Sequence, residues 1–201
     1  YSKILNEYKK LIEKNIIGKH LYIDIKYSSF LPDWRKNIDY KKSVSSKQSL
    51  GGGVLLELSH ELDYANWLFG PLDELKAIRK NTNQLEIDVE DIVKIIAKNK
   101  NECLLNFHLD FCSKITKRYC CLYGSKGYIK LDFIKNKISS KLDIEKEEKS
   151  YKIESNYNDM YINQMKHFFK CIEYDKVPKI TLEETTEIMR IIEICKSSTL
   201  N

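Results

Sequence analysis

The stretch Gly51-Gly52-Gly53-Val54-Leu55-Leu56-Glu57-Leu58-Ser59-His60-Glu61-Leu62-Asp63-Tyr64-Ala65-Asn66-Trp67-Leu68-Phe69-Gly70-Pro71 separates two differently patterned halves of the sequence. Val54 to Phe69 is strongly apolar and does not alternate. It reads as one largely buried helix, opened by the glycine triplet and stopped by Gly70-Pro71. Upstream, Ile4, Leu5, Tyr8, Leu11 and Ile12 recur at helical spacing up to Gly18. Leu21, Ile23, Ile25 and Tyr27 then alternate with Tyr22, Asp24 and Lys26, which is strand spacing. Residues 31–50 are polar and aperiodic and read as a long loop.

Downstream come seven strand candidates, Glu74–Lys80, Asp91–Lys98, Cys103–Phe111, Arg118–Tyr123, Tyr128–Phe133, Lys137–Ile144 and Tyr151–Glu154, joined by short turns. Two amphipathic helices close the chain, one with Met160, Met165, Phe168, Phe169 and Ile172, the other with Leu182, Ile188, Met189, Ile192 and Cys195. This order predicts an α+β fold: an open, predominantly antiparallel sheet with helices packed on one face. The expectation is a single domain over residues 1–201.

Composition narrows the function classes. Hydrophobic residues make up 42% and charged residues 31% of 201, a balance that excludes a disordered or fibrous chain. No apolar run reaches the roughly 18 residues of a transmembrane helix, so no membrane partner is expected. Six cysteines lack C-x-x-C spacing and zinc-type histidine pairing, so they read as free thiols of a reducing cytoplasm with no metal site. Net charge is +5 from scattered lysines interleaved with Glu, which argues against a nucleic-acid partner. The opening Tyr1-Ser2-Lys3-Ile4 reads as a cut from a longer protein.

Chemistry concentrates in the central helix. Glu57, His60, Tyr64 and Trp67 share one face of a continuous helix, and Asp63 lies one turn after His60. A histidine with a carboxylate neighbour at the edge of a buried helix suits proton transfer. The alternative is a structural histidine flanked by solvated or capping carboxylates. The preceding loop carries Trp34, Arg35, Tyr40 and Lys41, aromatic and charged groups that suit a sugar or simply pin a surface loop. The glycine triplet lets backbone approach a ligand or another segment closely. No G-x-x-x-x-G-K is present, and no G-x-G-x-x-G follows a strand, so no dinucleotide fingerprint is present. Gly124-Ser125-Lys126-Gly127 reads as a hairpin turn.

The runs Leu31-Pro32-Asp33-Trp34-Arg35, Asp39-Tyr40-Lys41, Gly51 through Tyr64 and Trp67-Leu68-Phe69-Gly70 together resemble the C-terminal half of the Gfo/Idh/MocA oxidoreductases, the glucose–fructose oxidoreductase-like and inositol dehydrogenase-like enzymes. The resemblance implies a two-domain enzyme whose N-terminal Rossmann domain, absent from this chain, binds NAD or NADP and supplies a lysine. This half would shape the sugar or nucleotide-sugar site and form a homo-oligomer, dimer or higher, through its sheet face. His60 matches the family's catalytic histidine and Asp63 a supporting acidic position. Trp34, Tyr40 and Lys41 match positions near the substrate pocket. Many members carry an Asp four residues before the histidine; here that position is Leu56, and Glu57 lies one residue off. Alone, the chain is expected to bind no dinucleotide tightly. The rival readings are a non-catalytic module that dimerises through its sheet and a basic nucleic-acid binder.

Overall fold

Helix α1 (Lys3–Glu13) turns Ile4, Tyr8 and Ile12 inward. It ends earlier than Gly18, because Asn15 takes a positive φ and the chain turns through residues 14–18 instead of continuing the helix. The computed structural model describes residues 1–198 and continues with β1 (His20–Phe30), α2 (Val54–Glu57), α3 (His60–Phe69), β2 (Leu72–Lys80), β3 (Ile92–Asn99), β4 (Leu104–Asp110), β5 (Cys112–Gly124), β6 (Gly127–Asp132), β7 (Lys137–Leu142), β8 (Lys149–Lys152), α4 (Tyr157–Glu173) and α5 (Leu182–Ser197).

The strands form one open sheet in the order β2-β3-β4-β1-β5-β6-β7-β8. Every neighbouring pair is antiparallel except β1 with β4, which run parallel. Period-2 alternation decides the faces. Ile23 and Ile25 of β1, Val93 and Ile95 of β3, Leu105 and Phe107 of β4 and Ile129 and Leu131 of β6 are sealed from water. Their alternates, among them Tyr22, Ile96, Leu104 and Asn106, are exposed. Helices cover the sealed face: α1 packs against β6 and β7, α2 against β3 and β4, α5 against β2. Buried Tyr8 donates from its hydroxyl to the Ile129 carbonyl at 3.0 Å, which ties α1 to the sheet through a polar anchor.

The expected hairpin at Gly124–Gly127 forms, with Gly124 paired to Gly127. A capping box between Thr181 and Glu184 starts α5. Helix α4 is amphipathic as expected, but its Met165, Phe168, Phe169 and Ile172 stand half or more exposed.

The expectation of one helix over 54–69 is corrected. Backbone bonding tightens between α2 and α3: Ser59 N donates to Leu56 O, and Glu61 N to Leu58 O, each three residues back. A turn of that pitch breaks the 100° per residue register, so Glu57 and His60 stand on separate helices.

The loop 31–50 is also more ordered than its composition suggests. Four single-turn 3-10 helices occupy it. Residues 81–91 fasten it down, through Gln48 N to Asp88 Oδ1 at 2.7 Å and the Lys41–Glu86 ion pair at 2.5 Å. At the glycine triplet, a Cβ on Gly52 would lie 2.4 Å from the Val44 carbonyl oxygen. Gly53 has φ +112, and a Cβ there would strike the Glu90 carboxylate, whose Oε1 accepts the Leu55 amide at 3.1 Å. The triplet therefore serves close packing of loop against helix, the second of the two uses that its composition allowed.

Candidate active site

His60 opens α3, held there by the tight turn at Leu58–Ser59. Its side chain is 45% exposed, so the imidazole sits at the edge of the core and not inside it. The ring of Tyr27 from β1 stands T-shaped to the imidazole, with centroids 5.8 Å apart. Nε2 lies 3.3 Å from Oε1 of Glu61.

Glu61 is wholly buried, and the same Oε1 accepts from Arg118 Nε at 2.7 Å. The Arg118 guanidinium lies over the rings of Tyr27 at 4.8 Å and Phe133 at 4.5 Å, and Phe133 in turn packs on Tyr64. A buried carboxylate costs several kcal/mol in desolvation unless paired, so Arg118 is what allows Glu61 to occupy this place. Burial, and then the Glu61 charge, pushes the Tyr64 phenol well above its ordinary range.

Asp63 is exposed and makes no hydrogen bond to His60 among the described residues. The two charges still feel each other. Loss of solvent and then the Glu184 carboxylate raise the Asp63 pKa, while His60 and the amino terminus pull it down. The carboxylate in contact with the imidazole is therefore Glu61, one residue along, and not Asp63. Glu57 ends α2 half-buried, and its carboxylate forms no ion pair or hydrogen bond with another described residue.

Trp34 and Tyr40 come together elsewhere. With Leu31, Pro32, Arg35 and Ser45 they line a shallow surface cleft. Trp34 donates from Nε1 to Ser29 Oγ at 2.9 Å and stands edge-on to Phe111. The Tyr40 hydroxyl accepts the Glu86 amide at 3.4 Å. Lys41 turns to Glu86, which raises its pKa. The ring and charge contacts of His60 run to Tyr27 and Glu61 and not to the residues of this cleft. The structure thus sorts the expected residues into two groups, His60 with Asp63 and Trp34 with Tyr40, and leaves Lys41 engaged at the loop edge.

Sequence reasoning missed Glu61, Arg118, Tyr27 and Phe133 as parts of the His60 surroundings. One signal pointed to Arg118. The chain has 34 basic residues, of which only Arg35, Arg79, Arg118 and Arg190 are arginine. In so lysine-rich a chain an arginine marks a place that wants a planar fork.

Comparison with known proteins adds the family. The profile described as "Oxidoreductase family, C-terminal alpha/beta domain", that of Gfo/Idh/MocA proteins, matches residues 9–200. The chain belongs to the Gfo/Idh/MocA oxidoreductases. Among solved structures, the fold of this family's C-terminal domain recurs in levoglucosan dehydrogenase in complex with NADH, at TM-score 0.78 and 17% identity over 94% of this chain and 59% of that one. The aldose-aldose oxidoreductase from Caulobacter crescentus, complexed with glycerol, matches at TM-score 0.78 and 16% identity, over 97% of this chain and 59% of the other. The WlbA dehydrogenase from Bordetella pertussis, in complex with NADH and UDP-GlcNAcA, matches at TM-score 0.70 and 16% identity, over 98% and 60%. The chain thus spans about 60% of the length of the Gfo/Idh/MocA-type structures that it matches. No curated protein matches by sequence. Among the described residues no helix is long and apolar enough to cross a membrane, and no group of three His, Cys, Asp or Glu could hold a metal ion. The six cysteines are free, five of them buried and Cys112 half-buried.

Proposed function

We propose that this chain is the substrate-binding half of an NAD- or NADP-dependent cytoplasmic oxidoreductase acting on a sugar or nucleotide-sugar, with His60 as acid/base. The observation that carries this reading is the placement of His60: a half-exposed imidazole at the start of a rigid helix, beside a buried carboxylate, in a family of oxidoreductases. A bound nicotinamide would supply the hydride acceptor or donor. His60 would take the proton of the substrate hydroxyl as its carbon is oxidised, and return it in the reverse direction. Asp63, in electrostatic reach, would support that charge change. Trp34, Tyr40, Lys41 and Glu57 remain the candidates for contact with the sugar, from the neighbouring loop and helix end.

The dinucleotide does not fit this chain's own glycine-rich turn. Glu90 already occupies the first turn of α2, and Val44 and Ser45 fill the space beside Gly52. An anionic pyrophosphate would meet a carboxylate there. Cofactor binding is assigned to a second domain, and the exposed apolar side of α4 is a face suited to pack against it.

The other sheet face supports self-association. Tyr22 stacks on Tyr123 at 4.3 Å, and Ile78, Ile96 and Leu104 are exposed on the same side. The same feature favours the second reading, a non-catalytic module that dimerises through its sheet.

The test uses an enzyme that contains both halves, assayed for nicotinamide reduction over a panel of sugars and UDP-sugars. His60→Gln is expected to cut turnover by roughly 10²–10⁴-fold. An unchanged rate removes His60 from the chemistry, and intact self-association without turnover on any sugar supports the second reading.

A further inference from the structure

We infer that Glu61, clamped by Arg118, is a positioning residue for His60: it fixes the imidazole in the tautomer that carries its proton on Nε2, and so makes Nδ1 the nitrogen that exchanges a proton with substrate. The use of Nδ1 rests on the acid/base reading above; the tautomer itself does not.

The bias comes from the charge beside the ring. A carboxylate paired with a guanidinium offers its other neighbours acceptor lone pairs only. A neutral imidazole owns one N–H. Glu61 Oε1 stands 3.3 Å from His60 Nε2, a charge contact and not an aligned hydrogen bond, and its negative charge lowers the energy of the ring that carries its proton on that nitrogen. Nδ1 is then left with the free lone pair.

Rigidity makes the bias effective. Glu61 has no exposure and cannot swing into water. Its Oε1 is held by Arg118 Nε at 2.7 Å. The guanidinium is held in turn by the rings of Tyr27 and Phe133. Tyr27 also abuts the His60 ring, so one aromatic residue braces both ends of the relay. The charged and titratable groups facing the imidazole are Glu61 and Asp63 from α3, Arg118 from β5 and the Tyr27 phenol from β1. Of these, Glu61 is the carboxylate at contact distance. A Glu61–Arg118 pair that served stability alone would leave the tautomer unbiased.

Long-range proton–nitrogen-15 NMR of the histidine rings in this chain, at a pH where they are neutral, reads the tautomer directly. The Nε2–H form of His60 is expected in roughly tenfold excess. In Glu61→Gln, whose amide can donate as well as accept, the excess is expected to collapse to a mixture, with the signals of His20, His108 and His167 unmoved. A predominantly Nδ1–H or evenly mixed ring in the native chain overturns the inference, and so does an unchanged excess in folded Glu61→Gln. Should Glu61→Gln not fold, the native spectrum still decides, and Arg118→Lys, which keeps the charge but loses the Nε contact, is expected to loosen the bias in the same direction. A wrong tautomer together with lost turnover in His60→Gln overturns this inference and spares the acid/base reading. The expected tautomer with unimpaired His60→Gln turnover overturns the acid/base reading and, with it, the role of Nδ1.

Discussion

Glu61 of α3 and Arg118 of β5, 57 positions apart in sequence, meet at 2.7 Å with the carboxylate sealed from water. The pair ties the helix that carries His60 to the centre of the sheet.

Removing one partner strands the other. Arg118→Ala leaves a sealed carboxylate unpaired and is expected to cost about 3 kcal/mol. Glu61→Ala strands a guanidinium with some access to water and should cost about 2 kcal/mol. The double variant is expected to lose clearly less than the sum, a coupling that urea denaturation of all four proteins measures. Additive losses would show that the two side chains act independently.

The glycine triplet gives a graded test. Around Gly51 there is open space, so Gly51→Ala meets only the strain of φ +78, about 1–2 kcal/mol. Gly52→Ala drives a methyl into the Val44 carbonyl and should cost more, about 3 kcal/mol, or displace the loop. Thermal unfolding of the two variants should rank them in that order.

Acid stability should depend on Asp110. Burial alone would raise its pKa, but the bonds to His108 Nε2 and from the Ser113 amide outweigh that and hold it well below the usual carboxylate range. The folded state therefore prefers the ionised form. The stabilisation is present above the ordinary Asp pKa and is lost as pH falls through the lower folded value. Asp110→Asn is expected to reduce stability at pH 7 by on the order of 2 kcal/mol and to flatten the loss between about pH 4 and pH 2. Equal slopes for variant and native protein in acid denaturation would contradict it.

Much of the fold was legible because periodicity survives burial. The alternation of Cys103, Leu105, Phe107, Leu109 and Phe111 against Leu104, Asn106, His108 and Asp110 predicts β4 and its sealed face; the structure seals those five side chains, and seals Asp110 as well, whose bonds to His108 and to the Cys112 and Ser113 amides replace water. The break at Leu58–Ser59 was hidden, since a tight turn between apolar residues changes hydrogen-bond spacing without changing composition. The 3-10 turns of 31–50 were hidden for a related reason: three residues are too few to show a period. At the candidate site, His60 stood out as a lone imidazole in an apolar run. Its contact with Glu61 could not be read, because consecutive residues on an unbroken helix point apart, and Arg118 arrives from a strand that sequence spacing does not connect to it.

The lone parallel pairing of the sheet bears on how the chain comes together. β4 and β5 adjoin in sequence at Phe111, yet they do not pair; β1 lies between them, with Leu31 N bonded to the Phe111 carbonyl where the chain crosses its end. An early segment must therefore wait, its edges unsatisfied, until about a hundred later residues deliver both neighbours. Assembly from the ribosome cannot proceed strand by strand, and contacts of such long sequence separation make for slow refolding.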